Sequence, residues 1–190
     1  MVGFAVLCLL IVLLLCYGVV LYNGLVRTRN EVKLSWSNID VLLAQRHDEL
    51  PKLIEVCRRY MQHESETLTR VAQARSAVDS ARSSGDVASV SRAEGALRTG
   101  LSGLYAVAEN YPNLKADSLF QNLQARVSAL ETAIADRREV YNDAANAQNV
   151  RIETFPDSVV AGFFDFPPVK LLKFAAADTA NVEVKAAFGG

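Results

Sequence analysis

The residue pair that comes closest to a catalytic pattern is His63-Glu64, which matches the start of a zinc-binding helix motif. That motif needs a second histidine four residues after the first, so that two imidazoles on one helix face can hold the metal. Thr67 stands at that position. The other histidine, His47, lies beside Asp48 next to a predicted helix break, where a surface or capping role is expected. The sequence therefore predicts no metal site.

Other signatures of chemistry are missing from the sequence as well. It contains no P-loop, no dinucleotide-binding glycine motif, no nucleophile elbow and no Glu-x-x-His pair of the di-iron bundles. Cys57 is the one cysteine beyond the apolar start of the chain, and we interpret it as a small buried hydrophobe rather than a nucleophile. The net charge of -1 gives no electrostatic case for nucleic acid. We expect no enzyme, no cofactor and no nucleic-acid partner.

Four charged residues fall on helix faces that are otherwise apolar: Arg46, Glu64, Arg75 and Glu94. Such residues can sit at the rim of a core and extend their charged ends into water. They can also form inter-helix ion pairs that fix the register, because a buried charge without a partner is costly. Both interpretations stay open, and the second makes these four residues candidate inter-helix ion pairs.

These charges need helices to position them, and beyond residue 23 apolar residues recur at steps of three and four. Breaks fall at Pro51, at residues 83–86 and at residues 111–113, and Asp86 is expected to cap the helix that follows it. A new helix is expected to begin near Pro51, with Asp48 as its cap; the alternative is one kinked helix through the proline. The pattern predicts an all-α fold, in which an N-terminal transmembrane helix precedes an antiparallel four-helix bundle of long helices with coiled-coil-like packing.

The chain begins with an uncharged stretch in which Val2 to Leu21 is almost wholly apolar. About 20 apolar residues suffice to span the hydrocarbon core of a bilayer. A cleaved signal peptide would begin with basic residues and have a shorter apolar run. A lipoprotein signal would place small residues before its cysteine, whereas Cys16 follows three leucines. An uncleaved transmembrane helix over residues 1–23 is therefore predicted.

Positively charged side chains flank the apolar run at its C-terminal end only. The basic residues there are Arg27, Arg29 and Lys33. By the positive-inside rule this side is cytoplasmic and the N-terminus lies outside. We expect a single-pass protein of the cell membrane, with a cytoplasmic bundle domain over residues 24–155 and an aromatic segment and mobile tail over residues 156–190.

Four helices that reverse direction in turn would bring the chain back to the bilayer near Ile152. The segment that follows contains Phe163, Phe164 and Phe166 and then two lysines. It could lie on the lipid interface, dock on a neighbouring subunit, or fold back on the bundle as a cap. Docking on protein, either a second copy or a partner, is the preferred prediction. The alanine-rich residues 175–190 are expected to be mobile.

Several blocks of the chain, taken in order, resemble the LemA family. They are Tyr22 to Asn30 with Val32 and Trp36, Ile39 to Leu43 with Arg46, Leu50-Pro51 with Leu53, His63-Glu64 with Leu68 to Arg75, Glu109 to Ala116 with Phe120 and Leu123, and Glu131 to Phe163 at scattered positions. The resemblance extends to about Phe166. It implies one N-terminal membrane helix with a cytoplasmic four-helix bundle, and it brings no catalytic residue. Where the family tends to repeat a Tyr-Asn pair, this chain has Gln148-Asn149.

The function predicted from these features is that of a membrane-anchored, non-catalytic scaffold that forms homo-oligomers at the membrane surface. The expected partners are the lipid bilayer and further copies of the chain, and a membrane protein is a further candidate partner. The candidate interaction residues are Trp36, Phe163, Phe164 and Phe166. The alternative is a monomeric adaptor or regulator of a membrane protease or an envelope signalling system.

Overall fold

The first helix of the computed structural model, α1, runs without interruption from Val2 to Tyr60. It is followed by α2 (Ser65–Ser84), α3 (Val87–Ala108), the short α4 (Pro112–Lys115), α5 (Ser118–Glu153) and the short α6 (Asp157–Phe163). The structure describes residues 1–173, and these contain no strand. The predicted all-α fold with long helices is confirmed. The predicted mobile tail at residues 175–190 lies outside the described residues.

Contacts divide the chain into two units, and each is described by itself. The bundle unit comprises Asp40–Asp136 together with Leu172 and the residue after it, and the terminal unit comprises Met1–Ile39 and Arg137–Leu171. Both α1 and α5 contribute residues to each unit. The domain boundaries predicted at residues 23 and 155 stay a prediction.

The bundle unit is an antiparallel bundle of four helical segments from α1, α2, α3 and α5. Side-chain pairs along α1 show that its neighbours run in the opposite direction. Asp40 accepts a hydrogen bond from Arg82 of α2 at 2.8 Å. Further along α1, Tyr60 donates to Asp117 at the start of α5, also at 2.8 Å. The apolar positions with helical spacing form the core, and its most deeply buried members are Leu50, Leu53, Cys57, Val71, Leu104, Leu114 and Val127.

The turns of the bundle unit follow local sequence rules. Gly85 takes a left-handed conformation with φ of 68° and ends α2, as glycine does readily because it lacks a Cβ. The Asp86 carboxylate then accepts hydrogen bonds from the amides of Ala88 and Ser89, so the predicted cap of this helix is confirmed. Pro112 occupies the first turn of α4, where its missing amide hydrogen costs nothing.

The predicted helix break at Pro51 is wrong, because α1 continues through this residue. A proline inside a helix leaves the carbonyl four residues earlier, here that of His47, without its amide partner. Arg75 of α2 compensates for this loss, since its Nε donates to the His47 carbonyl at 3.0 Å. Leu50 and Leu53 on either side of the proline are fully buried, so core packing also holds the helical geometry.

The chain reverses instead at residues 61–64, which we expected to be helical. Gln62 and His63 are exposed, so this stretch can leave the helix without uncovering a large apolar surface. Met61 is the buried exception, and it stays in the core at the turn.

The terminal unit contains the apolar start of α1. Each large apolar side chain between Val2 and Leu15 is at least 50 % exposed within the described protein. Among residues 1–173, α1 is the one helix that is long and apolar enough to cross a bilayer by length and composition. A signal sequence near an N-terminus passes the same test.

The compensation at Pro51 makes a quantitative prediction. Replacing Arg75→Met should destabilise the fold by about 1–3 kcal/mol, because it leaves a partly buried carbonyl without a donor. In a Pro51→Ala background the restored amide can bond to His47, so the same replacement should cost clearly less. Thermal unfolding of the full chain in mild detergent, followed by circular dichroism, measures both costs.

The control for this cycle is Gln73→Met, which changes an exposed position of the same helix. It should have the same small effect in both backgrounds. An equal cost of Arg75→Met with and without the proline would contradict the compensation.

Candidate functional site

An apolar groove lies between α1 and α6 in the terminal unit. Its volume is about 540 Å³, and its lining is almost entirely apolar. The lining residues are Leu14, Leu15, Gly18, Val19, Tyr22, Val159, Val160, Phe163 and Phe164. One wall is therefore the last part of the apolar run, and the other wall is the short helix after α5. The groove places the predicted aromatic segment beside the predicted membrane helix.

Aromatic contacts join the segment after α5 to α1. The ring of Tyr22 lies 4.8 Å from that of Phe164 and 6.0 Å from that of Phe166, in tilted and edge-on arrangements. These offset geometries are favourable for aromatic pairs. The guanidinium of Arg29 lies 5.1 Å from the centre of the Phe166 ring, within the range of a cation–π contact. Leu25 and Ala161 complete the buried cluster.

The four predicted interaction residues differ in exposure. Phe166 is only 7 % exposed and Trp36 is half-buried, with its ring 5.6 Å from that of Tyr141. Phe163, in contrast, is 84 % exposed and Phe164 is 53 % exposed. Within the described protein, Trp36 and Phe166 are used for packing, whereas the two phenylalanines at the end of α6 remain accessible.

An ion pair and a glycine set the position of α6. The Nε of Arg151 near the end of α5 donates to the Asp157 carboxylate in the first turn of α6 at 3.1 Å. A Cβ at Gly24 of α1 would collide with the same guanidinium. A glycine at this position of α1 thus lets the end of α5 approach closely, although glycine weakens a helix interior.

Hydrogen bonds from side chains of α5 hold the backbone that follows α6, and we call this set of bonds the strap. The side-chain amide of Asn149 donates to the Val169 carbonyl at 2.8 Å, and its oxygen accepts from the Val169 amide at 2.7 Å. Tyr141 donates to the Lys170 carbonyl at 2.9 Å. These bonds pair an extended backbone with side chains of α5, as a two-sided amide can do.

A second cluster, the charged centre of the bundle unit, surrounds Arg46. Its guanidinium donates to the carboxylates of Glu94 on α3 and Glu131 on α5. The side chains of Arg46 and Glu94 are 2 % and 4 % exposed, and that of Glu131 is 25 % exposed. Arg46 and Glu94, two of the four charged residues predicted on apolar helix faces, therefore meet in the core. Their third partner, Glu131, was not among the four candidates.

Burial and pairing act in opposite directions on these groups. Burial disfavours the charge on Arg46, but the Glu94 and Glu131 carboxylates outweigh it and raise the pKa of the guanidinium. Burial also raises the pKa of Glu94, although Arg46 and, less strongly, Arg98 favour the ionised form. The guanidinium is thus the partner that keeps a buried carboxylate charged.

Arg75 and Glu64, the other two candidates for inter-helix ion pairs, do not pair with each other. Arg75 contacts the carbonyl and the ring of His47, with its Nη2 2.6 Å from Nε2. Glu64 precedes α2 and accepts a hydrogen bond from Tyr111 at 3.4 Å. Arg75 therefore bonds to a backbone carbonyl and to an imidazole ring rather than to an opposite charge.

Residues 1–173 hold no group of three or more His, Cys, Asp or Glu side chains placed to bind a metal. Burial raises the pKa of the Cys57 thiol to about 12, so this thiol stays protonated at neutral pH.

Comparison with known proteins decides the family. The profile of the LemA family matches residues 35–186, which is most of the chain. The protein belongs to the LemA family. The family match begins after the Tyr22–Asn30 block of the predicted resemblance and extends beyond its expected end at Phe166.

Individual relatives agree with this assignment. The chain is 29 % identical to Protein LemA of Metamycoplasma hominis over 166 residues, which cover 85 % of this chain and 72 % of that protein. It is 33 % identical over 69 residues to the magnetosome proteins MamQ 1 and MamQ 2 of Paramagnetospirillum magneticum, a stretch that covers 36 % of this chain and 25 % of each of those proteins.

The chain of this LemA-family protein departs from the expected Tyr-Asn pair at Gln148 and keeps the asparagine at Asn149. Gln148 is 2 % exposed, and Asn149 beside it makes the two bonds that strap Val169. Sequence reasoning missed this strap because an asparagine that bonds to a backbone leaves no pattern in the partner residues. Glu131 could have been found, since it falls on the apolar face of α5 formed by Val127 and Ile134.

The charged centre predicts how the bundle responds to loss of its cation. Arg46→Met should destabilise the fold by about 3–5 kcal/mol, because it leaves the buried Glu94 carboxylate without its partner. Arg46→Met combined with Glu94→Leu should recover most of this loss. Melting temperatures of the full chain in mild detergent provide the comparison.

The same variant predicts a pH dependence. Without Arg46, the pKa of Glu94 in the folded state lies further above its unfolded value of about 4.3, so the folded state binds the proton more tightly. The loss in Arg46→Met should therefore be smallest near pH 4 and grow as the pH rises towards neutrality. A loss that does not change with pH would show that Glu94 does not depend on this cation.

Proposed function

We propose that this LemA-family protein is a membrane-anchored, non-catalytic scaffold that self-associates at the membrane surface. The observation that carries the proposal lies in the terminal unit, where an apolar run with no cover and a packed aromatic cluster belong to the same helix. A membrane supplies the missing cover for the run. The cluster then lies directly at the point where the helix leaves the hydrocarbon.

The groove supports an uncleaved anchor over a cleaved signal. Leu14 to Val19 form one wall of the groove, and Tyr22 and Leu25 pack in the aromatic cluster. Cleavage within or just after the apolar run would remove that wall and would expose Val160 and Phe164. A signal sequence has no such tertiary contacts to lose.

The proposed orientation places the bundle unit, and the part of the terminal unit beyond the apolar run, on the cytoplasmic side. Arg27 and Lys33 are exposed just beyond the apolar run, and Arg29 lies between them. Basic residues next to a span favour the cytoplasmic side.

The described side chains support contact rather than catalysis. The deeply buried charged groups pair with each other or with the backbone, as Arg46 and Glu94 do. The names of the relatives, Protein LemA and Magnetosome proteins MamQ 1 and MamQ 2, state no reaction.

Self-association requires an accessible surface outside the lipid, and α1 offers one. In the terminal unit, the side chain of Leu34 on α1 is 63 % exposed beyond the apolar run. Anchoring in one orientation makes the α1 helices of different copies parallel. Confinement to the membrane raises the effective concentration of the copies, so a small apolar contact of this kind can suffice.

Counting copies in native-membrane discs tests the proposal. The full chain is extracted with a disc-forming polymer and the discs are weighed singly by mass photometry. Wild-type discs should hold more than one copy, and Leu34→Glu should shift the distribution towards one. Ala129→Glu adds the same charge at an exposed position of α5 and should leave the distribution unchanged.

Two outcomes would count against self-association. Wild-type discs with a single copy at native expression would contradict it. Single copies that carry a foreign membrane protein in fixed proportion would favour the alternative, a monomeric adaptor or regulator of a membrane protease or an envelope signalling system.

A further inference from the structure

The exposed face of α6 poses a question that a scaffold role leaves open. Val159 and Phe163 are 64 % and 84 % exposed, and the neighbouring Phe164 is 53 % exposed. These three side chains form a contiguous apolar surface at one wall of the groove. Surfaces of this kind mark contact with protein or with lipid.

We propose that α6 is an interfacial helix whose face of Val159, Phe163 and Phe164 is embedded in the edge of the bilayer and contacts lipid acyl chains. This inference rests on the proposed anchoring of α1, and it assigns a second membrane contact to the same unit. The sequence favoured docking of these phenylalanines on protein; the geometry favours lipid for three reasons.

The first reason is depth. At about 1.5 Å per residue, the 20-residue apolar run spans about 30 Å, which matches the hydrocarbon core. Leu14 and Val19 both fall within the last eight residues of that run. The side chains of α6 that share a groove with them must therefore reach the same depth.

The second reason is the direction of α6. Its first residue, Asp157, is held by Arg151, which abuts Gly24 just beyond the run. After its last turn, Phe164 lies against Tyr22. Both ends are thus near the level at which α1 leaves the hydrocarbon, while the side chain of Phe163, the last residue of α6, lines the groove. A short helix lying along the interface with its apolar face inward has this arrangement.

The third reason is the state of the backbone. Amide groups around α6 are paired inside the segment, as lipid contact requires. Ser158 bonds to the Thr154 carbonyl at 2.9 Å, Phe164 to that of Val160 at 3.0 Å, and Phe166 to that of Ala161 at 3.1 Å. Each of these donors would be costly to bring near hydrocarbon without a partner.

A water-soluble partner fits this surface poorly. To fill the groove, such a partner would have to reach Leu14 and Gly18, which lie inside the proposed membrane span. The exposed Arg27 at the same end of α1 suits the phosphate level of a bilayer that covers α6.

Depth-dependent fluorescence quenching tests the proposal. The chain contains a single tryptophan, Trp36, which is first replaced in a Trp36→Phe background. Into this full-length background one reporter is introduced at a time: Phe163→Trp, Leu15→Trp or Val140→Trp. Each protein is reconstituted into phosphatidylcholine vesicles with or without bromine on the acyl chains, and circular dichroism confirms that each is folded.

The two flanking reporters are controls. Leu15 lies in the apolar run, so its reporter should lose most of its fluorescence in brominated vesicles. Val140 is 48 % exposed and precedes Tyr141, the partner of Trp36, which lies 15 residues beyond Leu21. Its reporter should stay bright. The proposal expects the Phe163→Trp reporter to be quenched nearly as strongly as the one at Leu15.

The outcomes separate the two claims. A quenched Leu15 reporter with an unquenched Phe163 reporter would overturn the lipid contact of α6 and leave the anchor intact. If that unquenched reporter also shifts when the protein is diluted with empty vesicles, a second copy covers the face instead. Loss of quenching at both positions would overturn the anchoring itself.

Discussion

The described part of the protein leaves the apolar run at the start of α1 largely exposed, and the rest of the structure depends on how that apolar surface is removed from water. Exposure of apolar area to water costs roughly 25 cal/mol per Å², which is prohibitive for a run of this length. Every large apolar side chain between Val2 and Leu15 points outward. A bilayer removes this cost along the whole run, and the helix then emerges at Tyr22 with its orientation to the membrane already fixed.

The terminal unit is built around that point of emergence. Tyr22 and Leu25 pack against the segment that follows α5, and Gly24 leaves room for the Arg151 guanidinium. Asn149 forms hydrogen bonds with the backbone that follows α6. The aromatic contacts bring the segment after α5 to α1, whereas the Asn149 bonds hold the following backbone on α5. Around α6 the backbone amides of Ser158, Phe164 and Phe166 are paired by short local bonds, as placing a backbone beside hydrocarbon requires. A scaffold that assembles on a membrane benefits from a unit of this kind, since it limits how the chain can tilt.

The sequence predicts the parts of this structure that follow from periodicity and local chemistry. Helical spacing of apolar residues gives the bundle, and Asp86 after Gly85 gives a helix start, because both signals lie within a few residues. The continuation through Pro51 is not predictable in this way. It depends on Arg75, which is distant in sequence and donates to a carbonyl rather than to an opposite charge. The groove beside the apolar run likewise requires the tertiary return of α6. The LemA family could be identified from the sequence because its motifs are contiguous blocks of residues. The contacts that position Phe163 join residues that are distant in sequence and leave no such block.

Amide hydrogen exchange of the full chain in lipid discs tests the central claim most directly, because it reports whether the apolar run and the packed part of the terminal unit are one helix in a membrane. The account predicts slow exchange without a gap from Ala5, whose amide is bonded to the Met1 carbonyl, through Ile39, including the junction from Tyr22 to Arg29. The exposed residues Gln62 and His63, in the turn outside the helices, supply the fast reference within the same sample. Exchange at residues 22–29 as fast as in that turn would contradict the account, since a flexible linker there could not hold α6 against the span.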